Sequence, residues 1–161
     1  MISPDTWDPA DYDYDAQLIT GINQSNAIAQ ALVPGIKLLK AFLRNQSIGL
    51  KSFHIEVLCA LVLPSALSDW QARNLNWGYQ HLLAHFLKNV RTHLTGPVSL
   101  PGSHSPAIDS GVGFLRLQQI GTALESLGET AWKVCELDDK QHNTSSALDY
   151  WRKFFGEPFP S

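Results

Sequence analysis

With 161 residues, 44% of them hydrophobic, the chain is the size of one ordinary domain and carries enough apolar material for a packed core, which excludes a disordered polymer. Its net charge is −3, but residues 1–33, 34–93 and 94–161 carry −5, +5 and −3 respectively. A basic middle in an acidic chain points to one local anionic ligand and argues against a nucleic-acid partner, which asks for a basic domain overall.

Residues 1–14 read as a solvated acidic lead-in. They lack the apolar core of a signal peptide, so standard secretion is not expected and a cytoplasmic location is. Asp11, Asp13 and Asp15 alternate as metal-binding carboxylates on a strand would. The plainer reading is that they too belong to the solvated acidic stretch, and we assign them no metal. Leu32, Ile36, Leu39 and Leu43 form one face of a helix that starts near Pro34 and is closed by Gly49. The next element runs from Phe53 to Leu63 and ends at Pro64. Its Ile55, Val57 and Val62 suit a strand, yet its length and lack of alternation favour a buried helix. The longest apolar run, Ile55 to Leu67, is broken by Glu56 and Pro64. It falls short of the roughly 18–20 residues that cross a bilayer, so no membrane partner is expected.

Leu75, Tyr79, Leu82, Phe86 and Val90 make a third stripe, stopped by Gly96 and Pro97. Residues 95–113, with three Pro and four Gly, are loop material. Leu117, Ile120, Leu124, Leu127, Ala131 and Val134 then step by three and four, the clearest amphipathic helix in the chain. After the polar run DDKQHNTSS, Leu148, Trp151 and Phe155 share one face of a last helix ended by Gly156 and Pro158. With no hairpin signal, repeat or heptad, the chain reads as all-α: a single helical domain, 1–161, of about six helices. Cys59 and Cys135 fall in apolar helical patterns and read as two buried free thiols.

Other residues bear on chemistry without composing a site. His81 and His85 have the i, i+4 spacing of a zinc pair, but no HExxH surrounds them and no Cys or carboxylate is close in sequence. They read as polar-face histidines, and His54 as structural or pocket-lining. The Trp residues at 7, 70, 77, 132 and 151 read as core or docking residues, with Trp70 and Trp77 at helical spacing.

The basic residues of the middle segment are more informative. Lys37, Lys40 and Arg44 lie at i, i+3 and i+7, on one face of their helix and opposite its apolar stripe. Gly49-Leu50-Lys51-Ser52 reads as a turn into the next helix with Ser52 as N-cap, without a capping box because Ile55 stands where Glu or Gln would. A helix N-terminus favours phosphate, Lys40 and Lys51 add full charge, and Phe53 offers an aromatic face. Together these suit a nucleotide. Singly, each has a plainer reading: a solvated basic face, a cap, a core ring.

The stretch IKLLKAFLRNQSIGLKSFHIEVLCA resembles the C-terminal helical half of oligoadenylate-synthetase-like nucleotidyltransferases, a group that includes cyclic GMP-AMP synthase and the bacterial CD-NTases of CBASS antiviral defence. The pattern is LLKxW followed by LKSxxxE, with Phe42 in place of the usual Trp. The ending ALDYWRKFFGEPFP is similar to the family's close, and Trp7-Asp8-Pro9 with Asn23 is similar to its start, so the resemblance spans nearly the whole chain. It implies that Lys40 and Ser52 contact the triphosphate of ATP or GTP and that Phe53 stacks on the base. Lys37, Arg44 and Lys51 join them as supporting cations.

The family's catalytic nucleotidyltransferase core is absent from this chain. Gly102-Ser103, the single Gly-Ser, lies in the Pro-rich loop with no acidic pair after it. Mg²⁺ is therefore implied only beside a separate catalytic half, which would hold it. The expectation is a fragment or free-standing relative of the helical half. It supplies nucleotide contacts to the synthesis of a cyclic or linear oligonucleotide messenger and is inactive alone. The alternative is an all-α protein-interaction module derived from that domain.

Overall fold

In a computed structural model, residues 12–25, 28, 30–95, 98, 113–141 and 144–155 are described. They form six α-helices: α1 (Tyr12–Asn23), α2 (Leu32–Asn45), α3 (Ser52–Ala72), α4 (Tyr79–Asn89), α5 (Phe114–Gln141) and α6 (Thr144–Phe155). A 3₁₀ turn, Val90–Leu94, extends α4. No strand occurs among the described residues, and the all-α expectation of about six helices holds. The predicted loop at 95–113 and the Gly96, Pro97, Gly102-Ser103, Gly156 and Pro158 signals lie almost wholly outside those residues.

α3 is the most apolar element. His54, Ile55, Val57, Leu58, Cys59, Ala60, Val62, Leu63, Ala66 and Leu67 are all buried; over 54–60 they ring most of the helix, whereas further on Ser65 and Asp69 mark an exposed side. The first half is thus a core helix and the second a one-sided one. Pro64 does not end the helix as predicted: α3 continues eight residues further, to Ala72. An internal proline removes one backbone hydrogen bond and costs about 3 kcal/mol, and the burial of Val62, Leu63, Ala66 and Leu67 on the inner side offsets it. The result is a 21-residue helix long and apolar enough to cross a membrane, with 56% of its apolar window buried inside the fold.

α1, α2, α4 and the 3₁₀ turn pack on α3. α2 buries Leu32, Gly35, Ile36, Leu39, Phe42 and Leu43, the predicted face with Gly35 and Phe42 added, and packs mainly on α3. The first turn of α2 lacks a cap from Ala31; instead the Asn23 Oδ1 accepts the Val33 N–H at 3.0 Å, tying the end of α1 to the start of α2. α4 and α5 form the largest pairing, and α6 packs on α5. Along α5, Leu117, Ile120, Leu124, Ala131 and Val134 are buried and Leu127 is half-buried, as the stripe predicts. Of the third stripe, Leu82, Phe86 and Val90 are buried, but Leu75 and Tyr79 are exposed because α4 starts only at Tyr79.

Asp15 departs from the solvated lead-in. The backbone is helical from Tyr12, so Asp13 and Asp15 do not share one face: Asp11 lies outside the described residues and Asp13 is exposed, while Asp15 is buried with no hydrogen-bond partner for either oxygen among the described residues. Its place in the first turn of α1 returns some 0.3–1 kcal/mol from the helix dipole, less than burying a charge costs. Asp15→Asn is therefore expected to raise stability by about 1 kcal/mol, seen as a melting temperature a few degrees higher in a calorimetric scan.

Candidate functional site

The α2–α3 connection creates a concavity because it is tight. Ser47 adopts a left-handed conformation, φ 54°. The Ile48 N–H donates to the Leu43 carbonyl and the Ser47 N–H to the Arg44 carbonyl, both at 3.2 Å. This is the backbone arrangement that closes many helices, usually with glycine at the left-handed position. Ser47 rather than Gly49 thus ends α2. The turn returns the first residues of α3 to the last two turns of α2, and between them lies a cleft of about 370 Å³, within the range that holds small ligands. Lys40, Arg44, Ser47 and Ser52 supply its polar groups, and Leu43, Ile48, Leu50 and Ile55 its apolar surface.

Three of the six predicted contact residues therefore meet: Lys40, Arg44 and Ser52. Lys37 and Lys51 are exposed and do not line the cleft. Phe53 is half-buried against the core and is not part of the lining either. Ser52 is the first helical residue, not the N-cap. Lys51 takes the extended cap conformation, and its carbonyl accepts the Ile55 N–H at 3.2 Å. No side-chain cap closes this end of α3, and Ser52 is exposed and lines the cleft.

Sequence reasoning missed the partner of Lys40. Its ammonium is hydrogen-bonded to the Glu56 carboxylate across the α2–α3 contact, and the two side chains are 25% and 27% exposed. Sixteen residues separate them, so only the register of the two helices reveals the pair. Cys59, one turn further along α3, is fully buried; burial pushes its thiol far above the ordinary range, and the opposed charges of Lys40 and Glu56 act on it as smaller influences.

The remaining candidates have structural partners. The His81 Nδ1 accepts the Gly78 N–H at 2.9 Å, which leaves Nε2 as the protonated nitrogen facing Asp139 Oδ2 at 2.8 Å. One ring thus caps α4 and ties it to the end of α5. His85 packs edge-on to Trp70, with ring centroids 5.6 Å apart, and burial pushes its pKa down. Trp70 and Trp77 do meet, at 5.9 Å, although Trp77 lies in the α3–α4 connection and not on a shared helix. Both thiols are free and buried, and burial pushes Cys135 up to about 12. Among the described residues no three His, Cys, Asp or Glu side chains converge as a metal site would need. The chain matches no protein-family model, no curated protein and no solved structure significantly.

Proposed function

We propose that this chain is the nucleotide-binding helical half of a second-messenger nucleotidyltransferase, cytoplasmic and active only beside a catalytic half that holds the Mg²⁺. The observation that carries the reading is the convergence of Lys40, Arg44 and Ser52 on one cleft of nucleotide dimensions with an apolar floor. Two cations and a hydroxyl suit a phosphoryl group, and the aliphatic surface of Leu43, Ile48, Leu50 and Ile55 suits the uncharged part of the ligand. The resemblance of the LLK and KS segments to the family supports the same positions.

Thermal stability in the presence of ATP or GTP tests it. A ligand at ten times its Kd adds about 1.4 kcal/mol, or roughly 3–6 °C for a chain of this size. Lys40→Ala and Arg44→Ala are each expected to remove most of that shift while the unliganded protein still melts cooperatively. The second variant matters because Lys40→Ala also strands Glu56. A melt unchanged by millimolar nucleotide in the wild-type chain would instead favour the interaction-module reading, which has its own support in Phe114 and Leu115, 61% and 76% exposed at the start of α5.

A further inference from the structure

The charge of the cleft is governed by a residue outside its lining. Glu56 holds the Lys40 ammonium from the α3 side, and with three quarters of both side chains withdrawn from solvent the pair is only partly screened. Glu56 lies one turn beyond Ser52, at i+4, on the same side of α3 as the hydroxyl that rims the cleft. Arg44, one turn beyond Lys40 on α2, is exposed and makes no ion pair among the described residues. The wall therefore offers one matched and one unmatched cation. Lys37 and Lys51 stay outside, in water, where their fields are screened.

An ammonium backed by a carboxylate presents little net charge, so the unmatched Arg44 supplies the attraction for the first phosphoryl group and little is left for later ones. Each further phosphoryl group adds contact with Lys40 but also repulsion from Glu56, so the two effects largely cancel. We propose that Glu56 is a specificity-determining residue that limits this cleft to about one phosphoryl group of the nucleotide. The rest of a polyphosphate is left for neutralisation elsewhere, by a metal or a companion half. The inference rests on the nucleotide reading above and narrows it: the helical half alone distinguishes poorly between a nucleoside mono-, di- and triphosphate.

The test is a set of binding isotherms for AMP, ADP and ATP without divalent cation, on the wild-type chain, Glu56→Gln and Glu56→Asp. The wild type is expected to bind the three within about threefold of one another. In Glu56→Gln the affinities are expected to separate with phosphate number, ATP gaining roughly tenfold and AMP much less. Glu56→Asp, which keeps the charge, restores the flat series. A steep series in the wild type, or a uniform loss in Glu56→Gln with a normal melt, would overturn the proposal; the uniform loss would make Glu56 a residue that merely holds Lys40 in place. If no nucleotide binds either the wild type or Glu56→Gln, the nucleotide reading itself fails. If the wild type binds and Glu56→Gln behaves identically, only the role of Glu56 does.

Discussion

Gly128→Ala is expected to destabilise the protein by about 3 kcal/mol, lowering its melting temperature by roughly 6–12 °C, and Gly128→Val to leave little folded protein at all. A Cβ at Gly128 would lie 2.5 Å from the Lys88 amide nitrogen, 2.7 Å from the Leu87 carbonyl carbon and 2.8 Å from the Lys88 Cα. All three are main-chain atoms of α4, so no side-chain rotation relieves the clash. α4 and α5 would have to separate, and they form the largest helix pair in the molecule. Separation would also pull apart the contacts on either side of Gly128: the Arg91–Glu125 pair, the Lys88–Glu129 pair at 3.3 Å, and Lys88 over the Trp132 ring at 5.7 Å. Gly121→Ala is the control. Its Cβ would meet the Arg91 Cγ at 3.0 Å, a side-chain carbon that can move, so a loss below about 1 kcal/mol is expected. Equal melting temperatures for Gly128→Ala and the wild type would show that the two backbones do not touch there.

The second large effect is expected at Phe42. Its ring is fully buried on the inner face of α2. Truncation to alanine removes both transfer energy and packing, about 3–5 kcal/mol. In urea the midpoint should fall with the slope unchanged, because the unfolded chain exposes nearly the same surface. Lys40 and Arg44 lie two residues either side of Phe42, about half a turn round the helix. Core loss and ligand loss are therefore separable. Phe42→Leu should keep its nucleotide-dependent shift despite melting lower, whereas Lys40→Ala should lose the shift. A Phe42→Leu protein that melts normally yet no longer responds to nucleotide would mean the ring contributes to the cleft directly.

These residues also show how far the sequence could be read. The α5 stripe and the inner face of α2 were legible because each helix has one buried side, and periodicity records one-sided burial. The C-terminal end of α3 was hidden by Pro64, which reads as a stop although it stands on the outer side of the helix with Ser65 and Asp69, while Val62, Leu63, Ala66 and Leu67 carry the buried side past it. The Lys40–Arg44 side was legible as a charged face, and Ser52 as a helix start, because both are local. Neither Ser47 in a left-handed conformation nor Glu56 against Lys40 was legible. The first contradicts the usual preference of glycine for that geometry, with Gly49 nearby as a decoy. The second depends on how two helices align. Phe53 illustrates the ambiguity of aromatic residues, since a ring one position from a cleft faces a different direction from its neighbour on a helix. Gly128 drew no notice, because within a helix a glycine reads as a weak point until its partner helix is in view.

The sealed sulfurs carry one more implication. Cys59 and Cys135 are both unbridged, shielded from solvent and held as protonated thiols. Oxidants and thiol–disulfide buffers act on an accessible thiolate, and neither residue presents one while the fold is intact. The covalent framework is thus indifferent to the redox poise around it, and the cohesion of the molecule rests on noncovalent contacts.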